Sequence, residues 1–137
     1  MSMATALEID SKIEWVPFTD DVELEYKRAD IVLNFSESES FSMTCLEALY
    51  FGRPLIATDC GGPAEIIDHL VTGILVPNRN VAAMANAMVE LANDVDLRIK
   101  MSDRAPIVVR EKFGKEQTSD RLQEIYESVL RATKENT

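Results

Sequence analysis

Apolar residues recur along this chain at two spacings. Short, β-branched runs bounded by Pro, Gly or polar clusters alternate with stretches whose apolar positions repeat every three to four residues. Residues 12–16 read as a short strand closed by Pro17, and Asp20 and Asp21 suit the N-cap of a helix over 22–28. Residues 31–35 form an apolar run, β-branched at its start, and read as a buried strand. A Ser/Glu-rich loop over 36–40 leads into a helix over 42–50, with Gly52 as the C′ residue that ends it. The next strand covers 54–58, with Pro54 at its first position, where a missing donor matters least. Gly61 and Gly62 turn the chain into a short helix over 63–67, with Pro63 suited to its first position. A fourth strand over 73–76 ends at Pro77 and Asn78.

The second half is helical by the same criterion. Val81, Met84, Ala85 and Met88 recur at helical spacing, and a helical region spans 95–112, where Pro106 is expected to break or kink it. Leu122, Ile125, Tyr126, Val129 and Leu130 mark a terminal helix over 119–132. Strands alternating with helices predict parallel strands joined by right-handed crossovers. The fold class is α/β, a Rossmann-like three-layer α/β/α domain with a mostly parallel sheet of about four strands. Such sheets bind ligands outside the C-terminal ends of their strands.

Composition narrows the function. The chain has 137 residues, 46% of them hydrophobic, which suits one globular domain with its core at about 12–131 and flexible ends over 1–10 and 132–137. A formal charge of −10, with Lys and Arg scattered among acids, excludes nucleic acid and anionic membrane as partners. Any phosphate site would need local donors strong enough to oppose that field. Cys45 and Cys60 have no metal-like spacing and read as reduced, semi-buried thiols of a cytoplasmic protein. The first ten residues do not read as a signal peptide, and no apolar run reaches membrane-spanning length.

The stretch richest in chemistry is Glu39-Ser-Phe-Ser-Met-Thr-Cys-Leu-Glu47. Its first carboxylate sits in the loop after a strand and its second in the first turns of the following helix. The helix N-terminus offers unpaired N–H groups and positive potential to a phosphate. Ionised carboxylates only accept hydrogen bonds, so they suit sugar or ribose hydroxyls on either side of that phosphate. On spacing alone, the favoured reading of Glu39 is a solvated loop acid, and that of Glu47 an exposed helix acid or dipole partner, because a pair eight positions apart arises by chance in so acidic a chain.

The flanking residues shift the balance towards carboxylates that grip hydroxyls. Ala29-Asp30-Ile31-Val32-Leu33, Ser36, Glu39, Phe41, Glu47-Ala48-Leu49, Gly52-Arg53-Pro54-Leu55-Ile56-Ala57-Thr58, Gly61-Gly62, Glu65-Ile66-Ile67 and Gly73-Ile74-Leu75-Val76-Pro77 follow in an order that resembles the group-one, family-four glycosyltransferases. The resemblance covers roughly residues 13–130. It implies the C-terminal donor half of a GT-B fold and retaining, hexosyl-type transfer from a nucleotide-sugar to a growing polysaccharide, lipid-linked glycan or glycoside. No cofactor and no metal are implied, with the nucleotide-diphosphate-sugar as donor substrate. Glu39 would contact the transferred sugar and help place its anomeric carbon. Glu47 would accept from the ribose hydroxyls, and backbone N–H groups around Phe41, Ser42 and Met43 would meet the diphosphate.

Departures from the family pattern bear on the same place. Ser40 stands where the family has Gly, and Ser42 where Gly or Pro is common. His69 replaces a frequent Gly and reads as a surface turn residue without an orienting partner. The resemblance also implies two further strands, an Arg–Lys segment for the diphosphate and an acceptor domain ahead of residue 1. The chain is therefore expected to be a single partial nucleotide-sugar-binding domain over 1–137, inactive alone, from a parent that fits the inner face of the membrane. The 12–16 strand is expected either to pair beside the 31–35 strand or to leave an edge that recruits a second copy. The terminal helix either covers its own sheet or docks on the other domain. A non-catalytic binding module of the same fold is the alternative, and a nucleotide-sugar epimerase, which would not carry the Glu-spaced signature, is a weaker one.

Overall fold

Three parallel strands carry the molecule. The computed structural model describes residues 3–135. In chain order the elements are α1 (Met3–Ala6), α2 (Val22–Arg28), β1 (Val32–Asn34), α3 (Met43–Tyr50), β2 (Leu55–Asp59), α4 (Gly62–Ile66), β3 (Gly73–Pro77), α5 (Val81–Asn93), α6 (Val95–Phe113) and α7 (Lys115–Glu135). The sheet order is β1-β2-β3, with Val32 opposite Leu55 and Leu55 opposite Gly73. β2 lies between its two neighbours, so Leu55, Ile56, Ala57 and Thr58 are all buried. That accounts for the unbroken apolar run, since a strand covered on both faces has no solvent side.

Alternate residues of β2 serve two cores. Leu55 and Ala57 join Cys45, Ala48 and Leu49 of α3, Ile66 of α4, and Ala105 and Val109 of α6. Ile56 joins Ile74 and Val76 of β3, Ala87 and Leu91 of α5, and Met101 of α6. Gly73 is required between the layers, because a Cβ there would stand 2.5 Å from the Leu55 carbonyl oxygen.

Several expectations are corrected. The expected 12–16 strand is absent: Lys12 ends a 3-10 turn, residues 13–19 are in no regular element, and the sheet has three strands rather than about four. This segment pairs with no described edge, and Trp15 and Phe18 are 85% and 92% exposed. β1 is shorter than the 31–35 run and lies at the edge, which leaves Leu33 42% exposed. The inward face of α5 is Ala87 and Leu91, whereas Val81, Ala85 and Met88 are exposed. The small Ala87 lets the helix approach the sheet, so size rather than hydropathy selects the face. Pro63 takes the second helical position, after Gly62.

Pro106 does not break α6. It removes one donor, and the Ser102 carbonyl one turn back lies beside Gly52, close enough that a Cβ on that glycine would stand 3.0 Å away. The penalty of about 3 kcal/mol for an interior proline is exceeded by burial of Met101, Val108 and Val109, each worth about 1.5–3 kcal/mol. Gly52 itself has φ 67°, the left-handed turn that ends α3.

The terminal helix does not cover its own sheet. Leu122, Ile125, Tyr126, Val129 and Leu130 are between 50% and 63% exposed. Residues 3–12 contain α1 and a 3-10 turn over Asp10–Lys12, and the flexibility expected of residues 1, 2, 136 and 137 lies outside the described residues. No helix of the described residues is long and apolar enough to cross a membrane.

Candidate functional site

The Glu39 loop leaves the C-terminal end of β1 and is held by buried polar groups. Asn34, the last residue of β1, is 8% exposed; its amide donates to Ser42 Oγ at 2.9 Å and its carbonyl oxygen accepts from the Ser36 N–H at 3.2 Å. Thr58, fully buried on β2, donates its hydroxyl to the Ser36 carbonyl. With its backbone fixed on both sides, Ser36 donates its own hydroxyl to Glu39 Oε1 at 2.9 Å. These bonds satisfy polar groups whose burial would otherwise cost about 1–3 kcal/mol each.

The backbone of Glu39 is fastened to the turn after β2. Its N–H donates to the Cys60 carbonyl at 3.4 Å, and its carbonyl accepts from the Gly62 N–H at 2.9 Å. Only glycine permits this approach. A Cβ on Gly61 would stand 2.6 Å from the Glu39 carbonyl oxygen, and φ at Gly61 is 119°. A Cβ on Gly62 would stand 2.3 Å from the Phe41 Cα. The paired glycines thus shape the Glu39 loop as well as turning their own chain.

Ser42 caps α3. It adopts the left-handed conformation, φ 76°, and its Oγ accepts from the Cys45 N–H at 3.4 Å. Its side chain is 7% exposed and already bonded twice, so what it can offer a ligand is its backbone. Phe41 is similar: its ring meets Phe113 edge-on at 5.5 Å and packs against the core. Ser40 and Met43 are exposed beside them. The loop therefore presents main-chain groups at the start of an eight-residue helix, where the partial positive charge of the helix dipole concentrates.

Glu47, half-buried one turn further along α3, accepts from the Tyr26 hydroxyl at 3.1 Å through Oε2. Burial first, and then the Glu47 bond and charge, push the Tyr26 hydroxyl up to about 12. Burial also raises the Cys45 thiol, with the Glu39 and Cys60 charges acting the same way and the Ser42 and Asn34 hydrogen bonds opposing them. Among the described residues neither Glu39 nor Glu47 is in an ion pair. Both are held by hydroxyl donors, Ser36 and Tyr26, and each carboxylate group has further lone pairs to offer.

The structure gathers all six predicted site residues on one loop and one helix. Periodicity gave no sign of Tyr26, whose contact with Glu47 spans 21 positions. Asn34 had a readable signal, a polar residue at the end of an apolar strand, since buried amides are kept only where they are bonded. Arg79 pairs with Glu37 of the loop at 2.7 Å, and Asn78 donates to the Glu37 carbonyl at 2.7 Å. His69 is exposed as expected, but it has a partner: Nδ1 accepts from the Leu75 N–H at 3.0 Å and closes its turn.

A family model, glycosyl transferases group 1, matches residues 1–108. The chain belongs to this family. Among group 1 relatives it is 32% identical over 134 residues to N-acetyl-alpha-D-glucosaminyl L-malate synthase of Bacillus anthracis, covering 98% of this chain but only 35% of that protein. The fold of a glycosyltransferase from Rickettsia africae superposes with a TM-score of 0.84 at 28% identity, over 93% of this chain and 34% of that one. Anabaena Alr3699/HepE, solved in complex with UDP, superposes with a TM-score of 0.86 at 22% identity, over 91% of this chain and 35% of that one. These neighbours share the Rossmann-like α/β architecture, and the chain spans about a third of the length of the curated relatives it matches.

Proposed function

We propose that this chain is the donor-binding part of a retaining, hexosyl-type glycosyltransferase that acts on a nucleotide-diphosphate sugar. The observation that carries this reading is the arrangement of two unneutralised carboxylates, each held by a hydroxyl, on either side of a main-chain loop at a helix start. Glu39 accepts from hydroxyls of the transferred sugar and helps place its anomeric carbon. Glu47 accepts from the ribose. The N–H groups of Phe41, Ser42 and Met43, beside the exposed Ser40, meet the diphosphate. Their value is greatest as the glycosidic bond breaks, because the leaving diphosphate gains charge there. The oxocarbenium-like sugar is stabilised by the nearby carboxylate and phosphate oxygens. The reading calls for no metal.

Group 1 membership supports transferase chemistry, and the UDP and UDP-glucose complexes of the Anabaena protein of the same fold support this donor class. The acceptor, a glycan, lipid-linked glycan or glycoside, is assigned to a part of the parent protein outside this chain. The chain alone is expected to bind its donor weakly and to turn nothing over, because its net charge is −10 and Arg79, beside the loop, is paired with Glu37. Titration with UDP-glucose, followed by amide NMR, tests the reading. Saturable shifts are expected at Phe41, Ser42 and Met43, and a titration that leaves these amides unmoved would overturn it.

A further inference from the structure

Glu47 draws its side-chain partner from a different element. Tyr26, on α2, donates to Glu47 Oε2 at 3.1 Å, and the same hydroxyl lies 3.4 Å from the Thr44 carbonyl. The ring is fixed independently of those bonds. It stacks on Phe51 with centroids 5.4 Å apart and planes 23° apart, and it packs against the core cluster that contains Cys45, Ala48 and Leu49. The helix that carries it is capped by Asp21, which accepts from the Leu24 N–H at 3.1 Å. A rigid phenol is thereby aimed at one oxygen of a carboxylate on the neighbouring helix.

We propose that Tyr26 is a positioning residue for donor binding, whose hydroxyl holds Glu47 Oε2 so that Oε1 is presented to the vicinal diol of the donor ribose. This inference rests on the reading of Glu47 as the ribose acceptor. A glutamate on a helix surface samples several rotamers, and a diol is gripped in only some of them. Ordering such a side chain at the moment of binding costs conformational entropy. A charge-assisted hydrogen bond from Tyr26 meets that cost in the free protein instead. A lysine or arginine in the same place would also orient Glu47, but it would occupy the acceptor with a competing charge. A hydroxyl uses a single lone pair and brings no countercharge. Because the hydroxyl is raised to about 12, it stays a donor throughout the neutral range.

The test uses a ribose-specific readout that a packing role would not move. Tyr26→Phe keeps the ring and its stacking and removes only the donor. The wild-type chain, Tyr26→Phe, Glu47→Gln and the double variant are titrated by NMR with UDP and with 2′,3′-dideoxy-UDP. Wild type is expected to prefer UDP. Tyr26→Phe is expected to weaken UDP by about tenfold, as befits one charge-assisted bond, and to leave the dideoxy analogue unchanged. The double variant should lose no more than Glu47→Gln alone. Equal losses for the two ligands, or no loss, would overturn the role of Tyr26. If Glu47→Gln keeps the preference for UDP, the ribose reading of Glu47 fails instead. If wild type binds neither ligand, the donor reading fails for this chain, and the alignment is judged by relaxation of the Glu47 side-chain methylenes. Looser methylenes in Tyr26→Phe support it, and unchanged ones overturn it.

Discussion

Gly62 and Phe41 approach so closely that a Cβ on the glycine would stand 2.3 Å from the Phe41 Cα. Backbone lies on both sides of that contact, so no flexible side chain can yield. Gly62→Ala must push the Glu39 loop away from the turn after β2 or distort α4. It is expected to destabilise the fold by about 2–3 kcal/mol, the usual scale of overpacking, and to broaden the Glu39 amide. A urea midpoint unchanged from wild type would contradict this tight contact.

Ser42 combines a favourable side chain with an unfavourable backbone. Its hydroxyl caps α3 and satisfies the buried Asn34 amide, while its φ of 76° is one that side chains resist. Ser42→Ala is expected to cost about 1–3 kcal/mol, because the cap is lost and Asn34 is left without that partner. Ser42→Gly loses the same bonds but recovers about 1 kcal/mol of left-handed strain. The glycine variant should therefore unfold at higher urea than the alanine variant. The reverse order would mean that the backbone here is unstrained.

Glu39 is placed by Ser36 and by two backbone bonds, none of which needs its negative charge for folding. In the parent transferase Glu39→Gln is expected to lower kcat by about a hundredfold or more, the scale of losing one electrostatic contact made in the transition state. Donor affinity should change little, because the ribose and diphosphate contacts proposed above do not involve this side chain. A variant that raises KM and spares kcat would assign Glu39 to ground-state binding.

Tyr26 also gives the fold an alkaline limit. Its hydroxyl is raised from 10.0 to about 12. Between those values the unfolded chain releases the proton and the folded chain keeps it, so the unfolded state binds fewer protons and stability falls as pH rises. The contribution is fully present below about pH 10 and lost by about pH 12. Urea midpoints at pH 9 and pH 11 should converge more in Tyr26→Phe than in wild type. Equal slopes in the two proteins would show that this hydroxyl does not set the limit.

The parts of this structure that the sequence made legible are those whose cause is local. The α3 boundaries follow from Ser42 as cap and Gly52 as stop, and β2 from a strand covered on both faces. The carboxylate pair followed from a loop and the helix after it. What escaped notice depends on contacts distant in sequence. Residues 12–16 read as a strand but find no edge to pair with among the described residues, and strands need partners. Pro106 stays helical because Met101, Val108 and Val109 are buried around it, a fact no proline rule contains. Tyr26 reads as one position of a short amphipathic helix until α2 and α3 are packed together.

Hydroxyl-held carboxylates have a kinetic consequence. With no described cation answering Glu39 or Glu47, the mouth of the loop stays anionic, in a chain whose net charge is −10. Under the proposed donor reading, a diphosphate diffusing inward travels against the field until it reaches the helix N–H groups. Salt shortens that uphill range, since the Debye length falls from about 30 Å at 0.01 M to about 10 Å at 0.1 M. Capture by this surface should therefore quicken as ionic strength rises, where a lysine-lined cleft would slow.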